Sequence, residues 1–583
     1  MQSEESQPLS LCGARWRHAP DVEGAREIAR VNAVSPELAT CLAGLGICPG
    51  DEVRAFLAPS LEQMHDPMRM LGMDRAIERL RRAVRDAEPI RVVTDYDVDG
   101  TMSSLILQSV LRLCNHTRVS YHIPDRKIEG YGFTTVAAQK AVDDGVGLIV
   151  TADIGVRDEA AIRIASEHGI DVIVLDHHLP VGCGVPPSAY AVLCPPQQGC
   201  AYPNKALAAC GISLKFAQAM LRDHPKYHAI LRSMAKLAAL GTVADVVSLR
   251  ESENRAIVSV GLDALNHDPH RPGLAALLNV SQLRPGCVDA SAIGYRLGPR
   301  INAAGRLASA TLVIDLMHAP NSVVAHAIAG ELDAMNGDRQ AIQEEMVRTA
   351  VARVGDCADP FLVVVEPESP MWHSGIAGIV AGRLREHFHR PVAVGTSDGA
   401  TITASVRSTP GVHAVRALTA VEAILTKFGG HAAAAGFSCP ADKLGELRAG
   451  LCANALEQLG GEREIPVTDI ALCLDPSRIR AELFADLARL EPCGSQNPRP
   501  LVCIRGARLE CMRMLKEKHL SAEIPDTPVG LRMIWFSSPL TPEAAAGRRW
   551  DIVGELQTEV WNGQTRYQIL ARDGREAKGA QHE

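Results

Sequence analysis

Four short segments of this 583-residue chain carry side chains that could do chemistry together. TDYDVDG places Asp95, Asp97 and Asp99 directly after the β-branched run IRVVT. VTAD places Asp153 after a second such run, and VLDHH places Asp176, His177 and His178 after a third. GTVADVV offers Asp245 from a helical stretch. Five or more carboxylates in one crevice repel unless cations neutralise them. Carboxylates with imidazole suit a hard to borderline ion, Mn²⁺ or Mg²⁺, rather than thiolate-bound Zn²⁺. Two such ions about 4 Å apart activate a water and brace the leaving oxygen of a phosphoester. Plainer readings compete. DxDxDG also opens an EF-hand loop, but Ile106 stands where that loop needs its bidentate Glu, and a strand precedes it. A single Asp at a strand end is usually a helix cap, which is the plain reading of Asp153 alone. Asp245 alone is equally weak. The combination is stronger than its parts, because three strand ends repeat the feature.

These residues need elements that bring them together. From Ile90 onward, IRVVT, HTRVSYHI, VGLIVTA and IDVIVL alternate with the helical runs TMSSLILQSVLRL, TTVAAQKAVDDG and RDEAAIRIASEHG. Strands separated by helices of this length predict right-handed crossovers and a doubly wound parallel sheet. The carboxyl ends of parallel strands share one edge, where ligands bind, so the first three clusters are expected to converge. Before this unit, LATCLAGLGI, GDEVRAFLA and MDRAIERLRRAVRDA have apolar residues at helical spacing, with a start signal at Gly50–Asp51. After it, residues 252–350 read as helical throughout. A second, smaller α/β unit begins at FLVVVE and continues through IAGIVAGRLREHF and PVAVG. From about residue 461, LVCIRGARL, GLRMIWF and DIVGELQTEVWNGQTRYQILA are strand-like, with a hairpin signal at Asn562–Gly563. A small β-barrel is expected there.

Composition removes several function classes. Hydrophobic residues at 46% and charged residues at 22% exclude a largely disordered or collagen-like chain. A net charge of −8 excludes a wholesale cationic coat for nucleic acid, though not local basic grooves. No apolar run is long enough to span a bilayer, and the acidic N-terminus does not look like a secretory signal. The 16 cysteines are scattered without a CxxC pair, which fits reduced thiols and a cytoplasmic location.

Beyond the acidic motifs, GTVADVVSL with ENRAIVSVGL, GYRLGPRINAAGRL, WHSGIAGIVAGRL, FGGHAAAAGF and LEPCGSQNPRP follow in order. Together with DYDVDG, the Asp153 segment and DHH, they resemble the DHH phosphoesterases and, more closely, RecJ-type single-strand-specific DNA exonucleases. The resemblance runs from about residue 40 to about 575. It implies an N-terminal helical region (1–85), a DHH catalytic domain (86–250), a helical connector (251–350), a DHH-associated substrate-binding domain (351–460) and an OB-fold (461–583). It implies 5′→3′ degradation of single-stranded DNA to mononucleotides in recombination and repair. It also implies a single-strand binding protein and a RecQ-type helicase as partners. A monomer is expected.

Matched position by position, the resemblance makes Asp95, Asp97, Asp153, His177 and Asp245 the metal ligands, with Asp153 bridging. Asp176 supports the ligands from behind, His178 contacts the phosphate or leaving group, and Asp99 shapes the turn with Gly100. Arg126, Arg300, Arg306, Ser405, Arg407 and His431 match positions that contact substrate. If SVRST is extended, Ser405 and Arg407 face the same way, and with Arg306 they would clamp a 5′-phosphate. Taken singly, each arginine reads as a solvated charge, and AAAAG reads as small residues in tight helix packing. Trp535, Trp550 and Trp561 are three of the five tryptophans; such rings can stack bases, and for any one of them a core position is the better reading. Three departures from the RecJ pattern stand out: Thr94 and Gln496, each where Gly is usual, and Val98 in place of a smaller residue. The rival readings are a DHH phosphoesterase acting on short oligonucleotides or cyclic dinucleotides, and a non-catalytic replication scaffold.

Overall fold

The computed structural model describes residues 8–18, 23–124, 129–180, 182, 184–462, 464–561 and 564–577. The chain forms two compact units. One holds Trp16–Leu332 and Asp469–Glu583 with the N-terminal residues to Cys12, and the other holds Asp333–Thr468 with Gly13–Arg15. The long helix Ser322–Val354 runs through the division between them.

In the first unit, five strands form one parallel sheet, ordered Val119–His122, Ile90–Thr94, Leu148–Ala152, Asp171–Leu175, Ala191–Leu193. In chain order this is 2-1-3-4-5, a doubly wound sheet with its switch point beside the first and third strands. The four expected strands are present, and the three-residue strand Ala191–Leu193 is an addition the sequence pattern did not signal. Alternate residues serve opposite faces. Val92, Leu148, Val150 and Ile173 enter one core, while Val93, Ile149, Val172 and Val174 enter another. Helices therefore cover both faces, which explains strands that read as continuous apolar runs. The helix Val98–Leu113 buries 13 of its 16 residues against the first core. The connector helices up to Leu332 add Ile257, Leu277, Ile301, Val313 and Ile314 to the same core.

The N-terminal region departs from an all-helical expectation. A strand, Arg15–His18, precedes the helices. The helices Glu23–Asn32, Pro36–Gly44 and Asp51–Leu57 share a core with the C-terminal strands: Ile28, Leu38, Leu42 and Phe56 meet Leu474, Ile504, Met533 and Trp535. Arg255 joins these parts to the parallel-sheet domain. Its guanidinium is fully buried, lies 3.6 Å from the Phe56 ring centroid, and donates to the carbonyls of Phe56, Leu490, Glu491 and Pro492. One planar fork thus satisfies carbonyls from two distant segments, which a point-charge lysine would not.

The C-terminal strands form a seven-stranded sheet, in which Leu501–Arg508 pairs with Arg549–Trp561 and the latter with Gln564–Glu576. That last pairing runs to Trp561 opposite Gln564; the expected turn residues Asn562 and Gly563 lie outside the described residues. Strands Glu510–Leu515 and His519–Ile524 were not expected. Trp535 and Trp550 are 2% and 3% exposed, so both are core residues and neither offers a ring to a base.

The second unit has a five-stranded mixed sheet: Lys427–Gly430, Ala434–Pro440, Thr401–Arg407, Val392–Ser397, Leu362–Pro367. FGGHAAAAGF is a β-hairpin here rather than part of a helix. A Cβ on Gly430 would stand 2.4 Å from Ala434 O, so this glycine closes the hairpin.

Candidate metal centre and phosphate contacts

The switch point gathers the acidic motifs. Asp95 directly follows the strand Ile90–Thr94, buried at 4% exposure, and Asp153 follows the strand Leu148–Ala152 at 3%. Ligand atoms of Asp95, Asp97 and Asp153 lie within 4.8 Å of one another, as do those of Asp99, His177 and Asp245, and those of Asp153, His177 and His178. Asp153 and His177 thus each belong to two overlapping groups. His177 Nε2 is 3.2 Å from Asp153 Oδ1, and its Nδ1 is 3.6 Å from Asp245 Oδ2.

Local geometry aims these groups. Asp97 caps the helix Val98–Leu113, accepting from the Gly100 amide at 3.0 Å, so its plain capping role coexists with its place in the cluster. A Cβ on Gly100 would lie 2.4 Å from Asp95 O, so the motif glycine allows the helix to start against the preceding turn. Asp153 has φ +65°, a left-handed conformation that Asp tolerates better than most residues, and its amide donates to Leu175 O. Asp245 is the C-cap of the helix Tyr227–Ala244 rather than an interior residue. A carboxylate at the negative end of a helix is unfavourable without a cation nearby. The next residue, Val246, has φ +60°, an uncommon strain for a β-branched side chain.

Electrostatics make the same case. Burial, then Asp97 and Asp99, push the Asp153 carboxyl well above its ordinary value. Burial and Asp99 raise Asp97. Burial, Asp99 and Asp97 push Asp245 up to about 9. His177 is lowered, mainly by burial, which favours the neutral, ligating imidazole. His177 Nε2 is buried and has no hydrogen-bond partner. A buried ring nitrogen left in this way among crowded carboxylates fits a divalent cation.

Asp176 is used up locally. It accepts from the amides of Val156, His177 and His178 and from His178 Nδ1 at 2.8 Å. Burial alone would raise it, but these bonds hold it below its ordinary value. Burial is the largest influence on His178 and opposes its cation, but the bond to Asp176 and the charges of Asp176 and Asp99 together raise it above its ordinary value. Asp99 does something other than shape the Gly100 turn: its carboxylate accepts from the amides of Ala209 and Cys210, tying the start of the helix Ala209–Met220 to the site. Tyr131, which the motif reading passed over, places its hydroxyl 3.3 Å from His178 Nε2 and 3.4 Å from Asp153 O. The only sequence signal for it was an aromatic between Gly130 and Gly132, both with positive φ.

Among the departures, Thr94 is fully buried with Oγ1 lacking a hydrogen-bond partner, and Val98 packs into the core. Gln496 has φ +55°, the conformation glycine adopts freely, and its Oε1 accepts from Ser248 Oγ.

The arginines divide. Arg126 lies outside the described residues. Arg300 gives its guanidinium to the carbonyls of Arg296 and Val280. Arg306 is half-buried on the helix Gly298–Leu307, which meets the first motif closely: a Cβ on Gly305 would lie 2.7 Å from Tyr96 O. In the second unit, Ser405 and Arg407 lie on one face of the strand Thr401–Arg407, as the extended reading required. Both meet Gly378 in the first turn of the helix Ala377–Phe388, where an added Cβ would stand 3.2 Å from Arg407 Nη2 and 3.5 Å from Ser405 Oγ. Burial, with Arg385 adding to it, lowers the Arg407 guanidinium, and no carboxylate among the described residues pairs with it. His431 is exposed in the hairpin turn, whose Ala434 is the register partner of Arg407.

Gly100→Ala is expected to displace Asp95 and raise the half-saturating Mn²⁺ concentration at least about tenfold, as loss of a supporting contact does at metal sites. Titration calorimetry on chelator-treated protein checks this.

Comparison with known proteins gives the family. Residues 89–242 match the N-terminal domain of the DHH family, 359–455 the DHHA1 domain and 470–573 the RecJ OB domain. The single-stranded-DNA-specific exonuclease RecJ of Dickeya dadantii is 36% identical over 550 residues, covering 88% of this chain and 92% of the relative. That of Bacillus subtilis is 32% identical over 566 residues, covering 96% and 70%. The crystal structure of Thermus thermophilus RecJ in complex with Mn²⁺ matches with a TM-score of 0.81 at 29% identity, over 97% of this chain and 80% of that one. A structure of the same protein holds Mg²⁺. With an acidic centre suited to those ions, the matching domains in order and relatives of this closeness, the chain belongs to the RecJ family of single-stranded-DNA-specific exonucleases.

Proposed function

We propose that this chain hydrolyses single-stranded DNA from the 5′ end to mononucleotides, with two divalent cations, Mn²⁺ or Mg²⁺, held by Asp95, Asp97, Asp153, His177 and Asp245. The observation that carries the reading is the meeting of these groups at the switch point, with His177 Nε2 buried and lacking a hydrogen-bond partner. When bound, such ions activate water and neutralise charge on the phosphoryl oxygens. The chain's own residues position the reaction. Asp176 orients both histidines, and His178 presents Nε2 toward the phosphate or leaving group beside Tyr131. Arg407 and Ser405, next to the first turn of a 12-residue helix, are suited to a terminal phosphate. Arg306, His431 and Arg126 are assigned to backbone phosphates. Arg300 is assigned to a backbone phosphate as well, with one Nη1 and one Nη2 donor steadying the side chain on the carbonyls of Arg296 and Val280.

The same reading places the protein in the cytoplasm as a monomer, in recombination and repair, beside a single-strand binding protein and a RecQ-type helicase. Among the described residues no helix is long and apolar enough to cross a membrane. The matched OB domain weighs against a small-substrate phosphoesterase, and the intact ligand set weighs against a scaffold. The test uses single-stranded DNA, duplex DNA and RNA, labelled at either end, with Mn²⁺, Mg²⁺ or chelator. Metal-dependent release of labelled mononucleotide from 5′-labelled single strands, before any from 3′-labelled ones, is expected. Preferential cleavage of dinucleotides, or activity in chelator, contradicts the reading.

A further inference from the structure

Outside the acidic centre, a cluster among the described residues combines a nucleophile, a base and a second thiol. Cys473 lies in the strand Leu472–Leu474, and Cys503 is its register partner in the parallel strand Leu501–Arg508. Leu472 and Leu474 point into the core shared with the N-terminal helices, so alternation turns Cys473 to the other face. There Cys503, 1% exposed, packs with Trp16, Ile470 and Val553, and Cys473 rests against that group half-buried. His18, at the end of the strand Arg15–His18, brings Nδ1 to 3.0 Å from Cys473 Sγ. All three residues line an open cavity of about 530 Å³, with Arg478, Arg505 and Glu37 among its walls.

We propose that Cys473, Cys503 and His18 form an oxidation-sensitive thiol site, in which a peroxide oxidises Cys473 and Cys503 then closes a disulfide. Cys473 is the attacking group for three reasons: it faces the cavity, it has the imidazole beside it, and Arg505 lies near. The Cys503 hydrogen bond first, then His18, bring its thiol below the ordinary range, while Cys503 is raised by its bond to Cys473 and by burial. Among the described residues, the exposed thiols of Cys48, Cys511 and Cys12 lack this setting. The Cys48 thiol is raised by its bond to Glu52, the Cys511 thiol by Glu523, and the Cys12 thiol by burial and Asp573.

The chemistry balances. The Cys473 thiolate attacks one peroxide oxygen; an S–O bond forms, the O–O bond breaks, and the departing hydroxide takes a proton to become water. Sulfur is oxidised and the peroxide reduced. The Cys503 thiolate then attacks the sulfenic sulfur; an S–S bond forms, the S–O bond breaks, and hydroxide leaves as a second water with the Cys503 proton. Two thiols and one hydrogen peroxide give one disulfide and two waters. Register partners on neighbouring strands lie about 4.8 Å apart, within the roughly 4.4–6.8 Å that a disulfide spans between Cα atoms. The bridge would fasten the short edge strand to its neighbour and remove the thiolate from His18.

The test treats the full-length protein at neutral pH with one equivalent of hydrogen peroxide, blocks free thiols and maps peptides by mass spectrometry. A Cys473–Cys503 linked peptide, two hydrogens lighter and restored by dithiothreitol, is expected as the main product. In Cys503→Ser, a dimedone adduct is expected on Cys473. In His18→Gln, oxidation is expected to slow several-fold while circular dichroism stays unchanged. If Cys473 reacts no faster than exposed Cys287, or is oxidised without forming the link while Cys503 is intact, the proposal is overturned.

Discussion

Replacing Asp153 by alanine is expected to lower nuclease turnover at least about a thousandfold, roughly 4 kcal/mol of barrier, without unfolding the protein. Asp153 belongs to two of the three ligand groups, so its loss opens both. Its stability cost in metal-free protein is expected to be small, because the strain of an alanine at φ +65° is set against the repulsion relieved. In that state the carboxyl is buried among Asp97, Asp99, Asp95 and Asp245, and removing it relieves repulsion. The melting temperature in chelator should therefore change little, while the increase brought by Mn²⁺ shrinks, since ligand stabilises in proportion to its binding. Steady-state kinetics beside melting curves with and without Mn²⁺ separate the two effects. Near-normal turnover would remove Asp153 from the centre, and collapse of the fold in chelator would make it a structural residue.

Arg407→Ala is expected to raise KM and shrink the preference for 5′-phosphorylated over 5′-hydroxyl DNA by about ten- to a hundredfold, the roughly 1.5–3 kcal/mol of a charge-assisted contact. The guanidinium is the right kind of group because it is largely buried without a carboxylate partner among the described residues. One donor, Nη1, is held by Val406 O, which fixes the fork while leaving other donors for an anion. Parallel assays on the two kinds of end decide the role. Equal loss on both makes Arg407 a general backbone contact.

Much of the candidate metal centre was legible because each of its residues follows a strand or flanks a helix whose apolar pattern is local. Asp95, Asp97, Asp153 and His177 needed only the parallel topology to meet. What stayed hidden depends on distant partners. Nothing near Phe56 announces that it will share a core with Trp535, or that Arg255 will bind the carbonyls of residues 490–492. The role of Asp99 depends on the amides of Ala209 and Cys210, more than 100 positions away. The plain helix-packing alternative for AAAAG fails because small residues suit close helix packing and tight hairpins alike, and the positive φ of Gly430 belongs to the hairpin. Gln496 was legible as a departure, but the Ser248 hydroxyl that holds it in a left-handed turn was not.

Two cations at one acidic centre are what the proposed hydrolysis requires. Anomalous diffraction from crystals of the full-length protein soaked in Mn²⁺ measures this most directly. Two peaks are predicted among Asp95, Asp97, Asp153, His177 and Asp245, with Asp153 in contact with both; one peak alone, or peaks away from these five residues, would contradict it.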